Sequence, residues 1–112
     1  MAADPHLGEL ATSDLHALRL AAQVLRHKAE LESRAPIADY FGRLVERSLV
    51  ELAARGEGVI VIADRVDTRL PGTASRDDRR VLAEYFGLLI GNEQLSPTLR
   101  AALRALRARD CR

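Results

Sequence analysis

Ile37-Ala38-Asp39-Tyr40-Phe41-Gly42-Arg43-Leu44-Val45 recurs 45 residues later as Leu82-Ala83-Glu84-Tyr85-Phe86-Gly87-Leu88-Leu89-Ile90. Ala, Tyr, Phe, Gly and one Leu coincide, and Ile/Leu, Asp/Glu and Val/Ile are conservative exchanges. The two copies hold every aromatic residue of the chain. In each, the apolar positions repeat at helical spacing, so each reads as one amphipathic helix. Gly42 and Gly87 then fall mid-helix, where glycine costs about 1 kcal/mol relative to alanine. The expected compensation is a packed notch in which the two Tyr-Phe-Gly faces meet in the core. A partner groove lined by Tyr40, Phe41, Gly42, Tyr85, Phe86 and Gly87 is the functional alternative. The match does not extend outward on either side, so one helix motif is used twice within a single domain.

Working outward, Leu15, Leu18, Ala22, Leu25 and Ala29 form a 3-4-3-4 stripe on a preceding helix, opened by Thr12 or Ser13 as N-cap with Asp14 in the first turn. Leu20, Val24 and Leu31 widen this stripe, which predicts burial on two sides. Pro36 disfavours helical geometry at Ala35, ending that helix near Ser33 and starting the next. The second helix buries Ile37, Phe41, Leu44, Val45, Leu49 and Leu52, carries the i,i+4 pairs Arg47–Glu51 and Glu51–Arg55, and stops at Gly56. An antiparallel hairpin of these two helices follows.

Val59-Ile60-Val61-Ile62 is a β-branched run, and Val66 to Leu70 alternates apolar and polar residues. A short extended or β segment is therefore expected over 59–70. Ser75 with Asp78 resembles a capping box opening a third helix over 76–90, and Ser96-Pro97 is an N-cap and N1 pair opening a fourth over 97–109. The fold expected is mainly α: a compact four-helix domain over 13–109, behind a flexible leader at 1–12 and before a frayed terminus at 110–112.

The 112 residues carry a formal charge of +1, which excludes a strong global field. The distribution is uneven, with five arginines against Asp110 over 96–112. A single cysteine, Cys111, allows neither an intrachain disulfide nor a zinc site. With no long apolar run and no signal-like N-terminus, a soluble cytoplasmic protein is expected. His16 and His27 lie eleven residues apart, a rise of about 16 Å, too far to share one metal. His27 also lacks the Lys-Gly that follows the histidine of phosphotransfer domains. No Ser/His/Asp set, phosphate loop or paired carboxylates stand out, so no catalytic residue, cofactor or metal is expected.

Two functions remain. The first is a non-catalytic regulatory or protein-interaction module, self-associating as a homodimer through the first helix or a strand at 59–63. The second is a small DNA-binding regulator. Leu82 to Gly87 resembles the second helix of phage-repressor-type domains. That resemblance implies a helix-turn-helix of 76–90 and 97–109, with Arg100, Arg104 and Arg107 facing nucleic acid. Three features depart from that family: a long turn, Pro97 at the start of the recognition helix, and no Asn, Gln, Ser or Thr on its face.

Overall fold

The computed structural model describes residues 7–58, 70 and 74–111. Within them the chain forms a short 3-10 turn, Leu7–Glu9, and four helices: α1 (Thr12–Leu31), α2 (Ala35–Ala54), α3 (Arg76–Ile90) and α4 (Pro97–Asp110). The mainly helical fold is as the sequence implies. The extended segment expected at 59–70 lies outside the described residues except for Leu70, which is buried.

Helices α1 and α2 make the most extensive pairing of the molecule, and α3 with α4 the second. The stripe of α1 buries the five residues that the 3-4 spacing selects. On α2 the buried set is Ile37, Ala38, Tyr40, Phe41, Leu44, Val45, Ser48 and Leu52, with Leu49 partly buried. Ser48 is tolerated there because its hydroxyl donates to the Leu44 carbonyl one turn back at 2.8 Å.

The helix ends follow from backbone hydrogen-bond needs. At the end of α2, Gly56 takes φ +74°, and the N–H groups of Gly56 and Glu57 donate to the Ala53 and Leu52 carbonyls. That is the Schellman arrangement, which satisfies carbonyls the helix leaves open. The end of α1 repeats it with Ser33 at φ +58°: Ser33 N–H donates to Glu30 and Arg34 N–H to Ala29 at 2.8 Å. A serine holds the left-handed position where glycine is favoured, and the chain reverses there into α2. Helix α3 starts with the expected capping box. Asp78 N–H donates to Ser75 Oγ at 3.0 Å, and Ser75 N–H to Asp78 Oδ2 at 3.3 Å. Ser96 caps α4 through Leu99 N–H at 3.0 Å, and its hydroxyl also donates to Asp14 Oδ1 of α1 at 2.8 Å.

Five expectations are corrected. Residues 7–11 are not a loose leader, because Leu7 and Leu10 are buried in the common core and Arg55 donates to the Gly8 carbonyl at 3.0 Å. Helix α1 takes Ala11 as its N-cap, with no side-chain cap; the Thr12 hydroxyl instead accepts from Arg55 at 3.3 Å. Arg55 is drawn to that end of α1, while Arg47 pairs with Glu51 at 2.9 Å as the spacing implies. The C-terminus is not frayed at 110, because Asp110 is buried in the last turn of α4. Finally, Leu20, Val24 and Leu31 are 54%, 67% and 73% exposed, so α1 is covered on one side only among the described residues.

A left-handed non-glycine residue costs roughly 1–2 kcal/mol. Ser33→Gly is therefore expected to raise the unfolding free energy by about 1 kcal/mol, read by urea denaturation; unchanged or reduced stability would mean the Ser33 backbone is not held at positive φ.

Candidate functional site: four rings inside, one apolar stripe outside

The repeated stretches do meet. Tyr40 and Phe41 of α2 face Tyr85 and Phe86 of α3, with ring centroids 5.8 to 6.0 Å apart across the junction. Tyr40 meets Phe86 edge-on, and Phe41 stacks on Tyr85 at an interplanar angle of 21°. All four residues are buried in the common core, and Tyr85 at its edge also borders a cleft of about 310 Å³ with Lys28, Glu32 and Arg80. The glycines do not take part. A side chain at Gly87 would meet nothing within 4 Å, and Gly42 faces the flexible guanidinium of Arg26 at 3.5 Å. The expected packed notch is thus corrected: the rings point inward while the residue next along the helix, 100° round, points outward.

Each tyrosine keeps its hydroxyl satisfied. Tyr40 donates to Asp110 Oδ2 at 2.6 Å inside the core, and Arg109 approaches the same oxygen at 2.9 Å. Burial, and after it the adjacent Asp110 charge, push the Tyr40 phenol far above its ordinary range. Tyr85 donates to Glu32, and Lys28 lies 5.5 Å above the Tyr85 ring. Burial followed by the Glu32 hydrogen bond raises the Tyr85 phenol to about 12. The Lys28 hydrogen bond, and secondarily that of Tyr85, hold the Glu32 carboxyl below the usual carboxylate range. Cys111, half-buried next to Asp110, has its thiol pushed up to about 11 by burial. Every one of these shifts stabilises the resting protonation state of a structural contact. None leaves a nucleophile or general base poised near neutrality.

The arginine face splits. Arg104 and Arg107 are exposed and border a cleft of about 540 Å³ with Ala83, Ile90 and Cys111, whereas Arg100 is half-buried. Helices α3 and α4 form an antiparallel hairpin, joined through Gly91–Ser96 and clamped at the far end by Arg79 donating to the Asp110 carbonyl at 2.9 Å. A cleft of about 670 Å³ lies between α1 and α2 over Gly42. Its three guanidiniums are answered by carboxylates: Arg26 pairs with Glu30, Arg34 with Asp77 and Arg43 with Asp39. Among the described residues no three His, Cys, Asp or Glu side chains gather as a metal site, and no helix is long and apolar enough to cross a membrane.

The outer face of α1 is different in kind. Ser13, Ala17, Leu20, Val24, His27 and Leu31 follow one another at spacings of four, three, four, three and four residues, all exposed except Ala17, which is half-buried against the core. That is a second heptad stripe, centred opposite the buried one. Among the described residues, Leu20, Val24 and Leu31 of this stripe and Leu88 of α3 are the exposed large apolar side chains. The sequence pattern predicts Leu20, Val24 and Leu31 buried on a second covered side of α1. Helical angle alone separates them, since at 100° per residue they sit on the far side from Leu18 and Ala22.

The chain matches no protein-family model, no curated protein and no solved structure.

Two substitutions test this geometry. Gly87→Ala is expected to raise stability by up to about 1 kcal/mol, from helix propensity in open space; a lower melting temperature would show that Gly87 is packed. Tyr40→Phe removes the internal donor to Asp110 and is expected to cost about 1–3 kcal/mol in denaturant unfolding; no loss would mean that the Asp110 carboxylate does not depend on it.

Proposed function

We propose that this chain is a non-catalytic helical interaction module that associates with a second copy of itself through the outer face of α1. The observation that carries this reading is the alignment of Leu20, Val24 and Leu31 on one exposed stripe. Single exposed apolar residues are ordinary, but a row of them at heptad spacing on a 20-residue helix is the pattern of a helix that packs on another. Fully burying a Leu or Val side chain is worth roughly 1.5–3 kcal/mol. Three partly exposed ones on each of two protomers give a driving force of the same order as the association cost of about 4–15 kcal/mol. The expected dimer is accordingly weak and concentration-dependent.

Support for the DNA-binding alternative is thinner. Arg104 and Arg107 are exposed, but Arg100 is half-buried, and the α3–α4 hairpin is tied at its open end by Arg79. A groove-reading helix needs to project from its neighbour.

Sedimentation velocity across the micromolar range checks the dimer. The wild-type chain is expected to shift from monomer to dimer with concentration. Leu20→Glu with Val24→Glu is expected to hold it monomeric with unchanged helical circular dichroism, because neither side chain is part of the core. A wild-type chain that stays monomeric at high micromolar concentration sinks the proposal.

A further inference from the structure

We infer that the two α1 helices pair antiparallel, about a two-fold axis passing near Ala22; this rests on the self-association proposed above and specifies its geometry. The choice lies between two ways of laying the outer stripe against its own copy. In heptad terms Ala17, Val24 and Leu31 occupy one seam position, and Ser13, Leu20 and His27 the other.

In a parallel pair each residue meets its own copy. His27 would then stack on the partner's His27 within the seam. The flanking contacts would join residues five apart, His16 with Ala21 and Gln23 with Lys28, none of them a pair of opposite charges.

The antiparallel pair removes both defects. Leu20 packs on the partner's Val24, and Val24 on the partner's Leu20. His27 falls against the small side chain of Ala17, and Leu31 closes over Ser13. On one flank Asp14 comes opposite Lys28, and on the other His16 comes opposite Glu30. The two-fold axis makes each of these pairs twice, whereas Gln23 and Ala21 each face their own copies.

These flanking groups already have partners within the chain, and the dimer contacts add to them. Asp14 Oδ1 accepts from Ser96, Lys28 Nζ donates to Glu32, Glu30 Oε1 accepts from Arg26, and His16 Nε2 lies 3.7 Å from Glu57. A carboxylate has two acceptor oxygens and an ammonium three donors, so each can take a second partner. Opposite charges set orientation and register more than affinity. An apolar seam alone would leave the direction open, and the charges on its edges decide it.

The test is a pair of spin-label distances on the full chain, with Cys111→Ser to leave one reactive thiol. Nitroxides are placed singly at Ser13→Cys and Gln23→Cys, both exposed positions, and measured at concentrations where sedimentation shows dimer. For the antiparallel pair, label 23 is expected to meet its copy across the seam, with backbones about 10 Å apart. Label 13 should be separated from its copy by about 27 Å along the axis, the rise of eighteen residues. Short distances at both positions would mean parallel pairing, overturning the orientation while leaving self-association intact. Long distances at both, in a sample that sediments as a dimer, would move the interface off α1 and overturn the inference together with the proposed surface. A sample that sediments only as monomer removes both.

Discussion

The contact on which the rest of the molecule depends is the meeting of four aromatic rings. The α1–α2 hairpin and the α3–α4 hairpin share little backbone proximity; their backbones touch mainly where α2 runs past α3. At that crossing Tyr40 and Phe41 lie against Tyr85 and Phe86. Long flat side chains bridge a gap that Leu and Ala could not fill, and edge-on and offset ring contacts add about 0.5–1.5 kcal/mol per pair beyond burial. A chain with only four aromatic residues has placed all of them at one joint. The polar tips of the two tyrosines then reach outward from this cluster in different directions, Tyr40 to the end of α4 and Tyr85 to the end of α1. The ring cluster thereby ties together all four helices.

The hairpins are shaped by their turns. Ser33 and Gly56 do the same backbone work at the ends of α1 and α2, but Ser33 does it against its own steric preference. The reversal at Ser33 is nevertheless tight, because Arg34 follows directly as N-cap of α2 with Pro36 in its first turn. Ser96 has two roles at once, capping α4 and reaching α1 through Asp14. Short polar side chains at helix ends therefore supply both local termination and long-range attachment.

How much of this is legible in the sequence depends on which physical signal is periodic. The inward stripe of α1, the capping box at Ser75 and the Ser96-Pro97 start are local patterns, and the structure keeps them all. The pairing of the Tyr-Phe motifs is visible as a repeat. What the repeat cannot convey is direction: Gly42 and Gly87 lie one helical step past the rings and turn away from the joint. Leu20, Val24 and Leu31 read as core for a related reason. Apolar character alone does not say on which side of a helix its neighbours will gather. The burial of Leu7, Leu10 and Asp110 has no periodic signature, since each depends on a long-range partner surface. For the candidate surface, the residues were readable but their exposure was not.

The hydrogen bond from Tyr40 to Asp110 spans 70 positions of chain. Synthesis proceeds from the N-terminal end, at about 5–20 residues per second. The α1–α2 hairpin is therefore finished several seconds before the carboxylate that Tyr40 needs has been made. Until residues 85 and 86 follow, the nascent hairpin presents Tyr40 and Phe41 with no partner ring from α3, and until Asp110 follows the Tyr40 phenol has no internal acceptor. The α1–α2 hairpin is therefore made with its ring surface open: α3 supplies the rings that cover it, and α4 the carboxylate that satisfies its phenol.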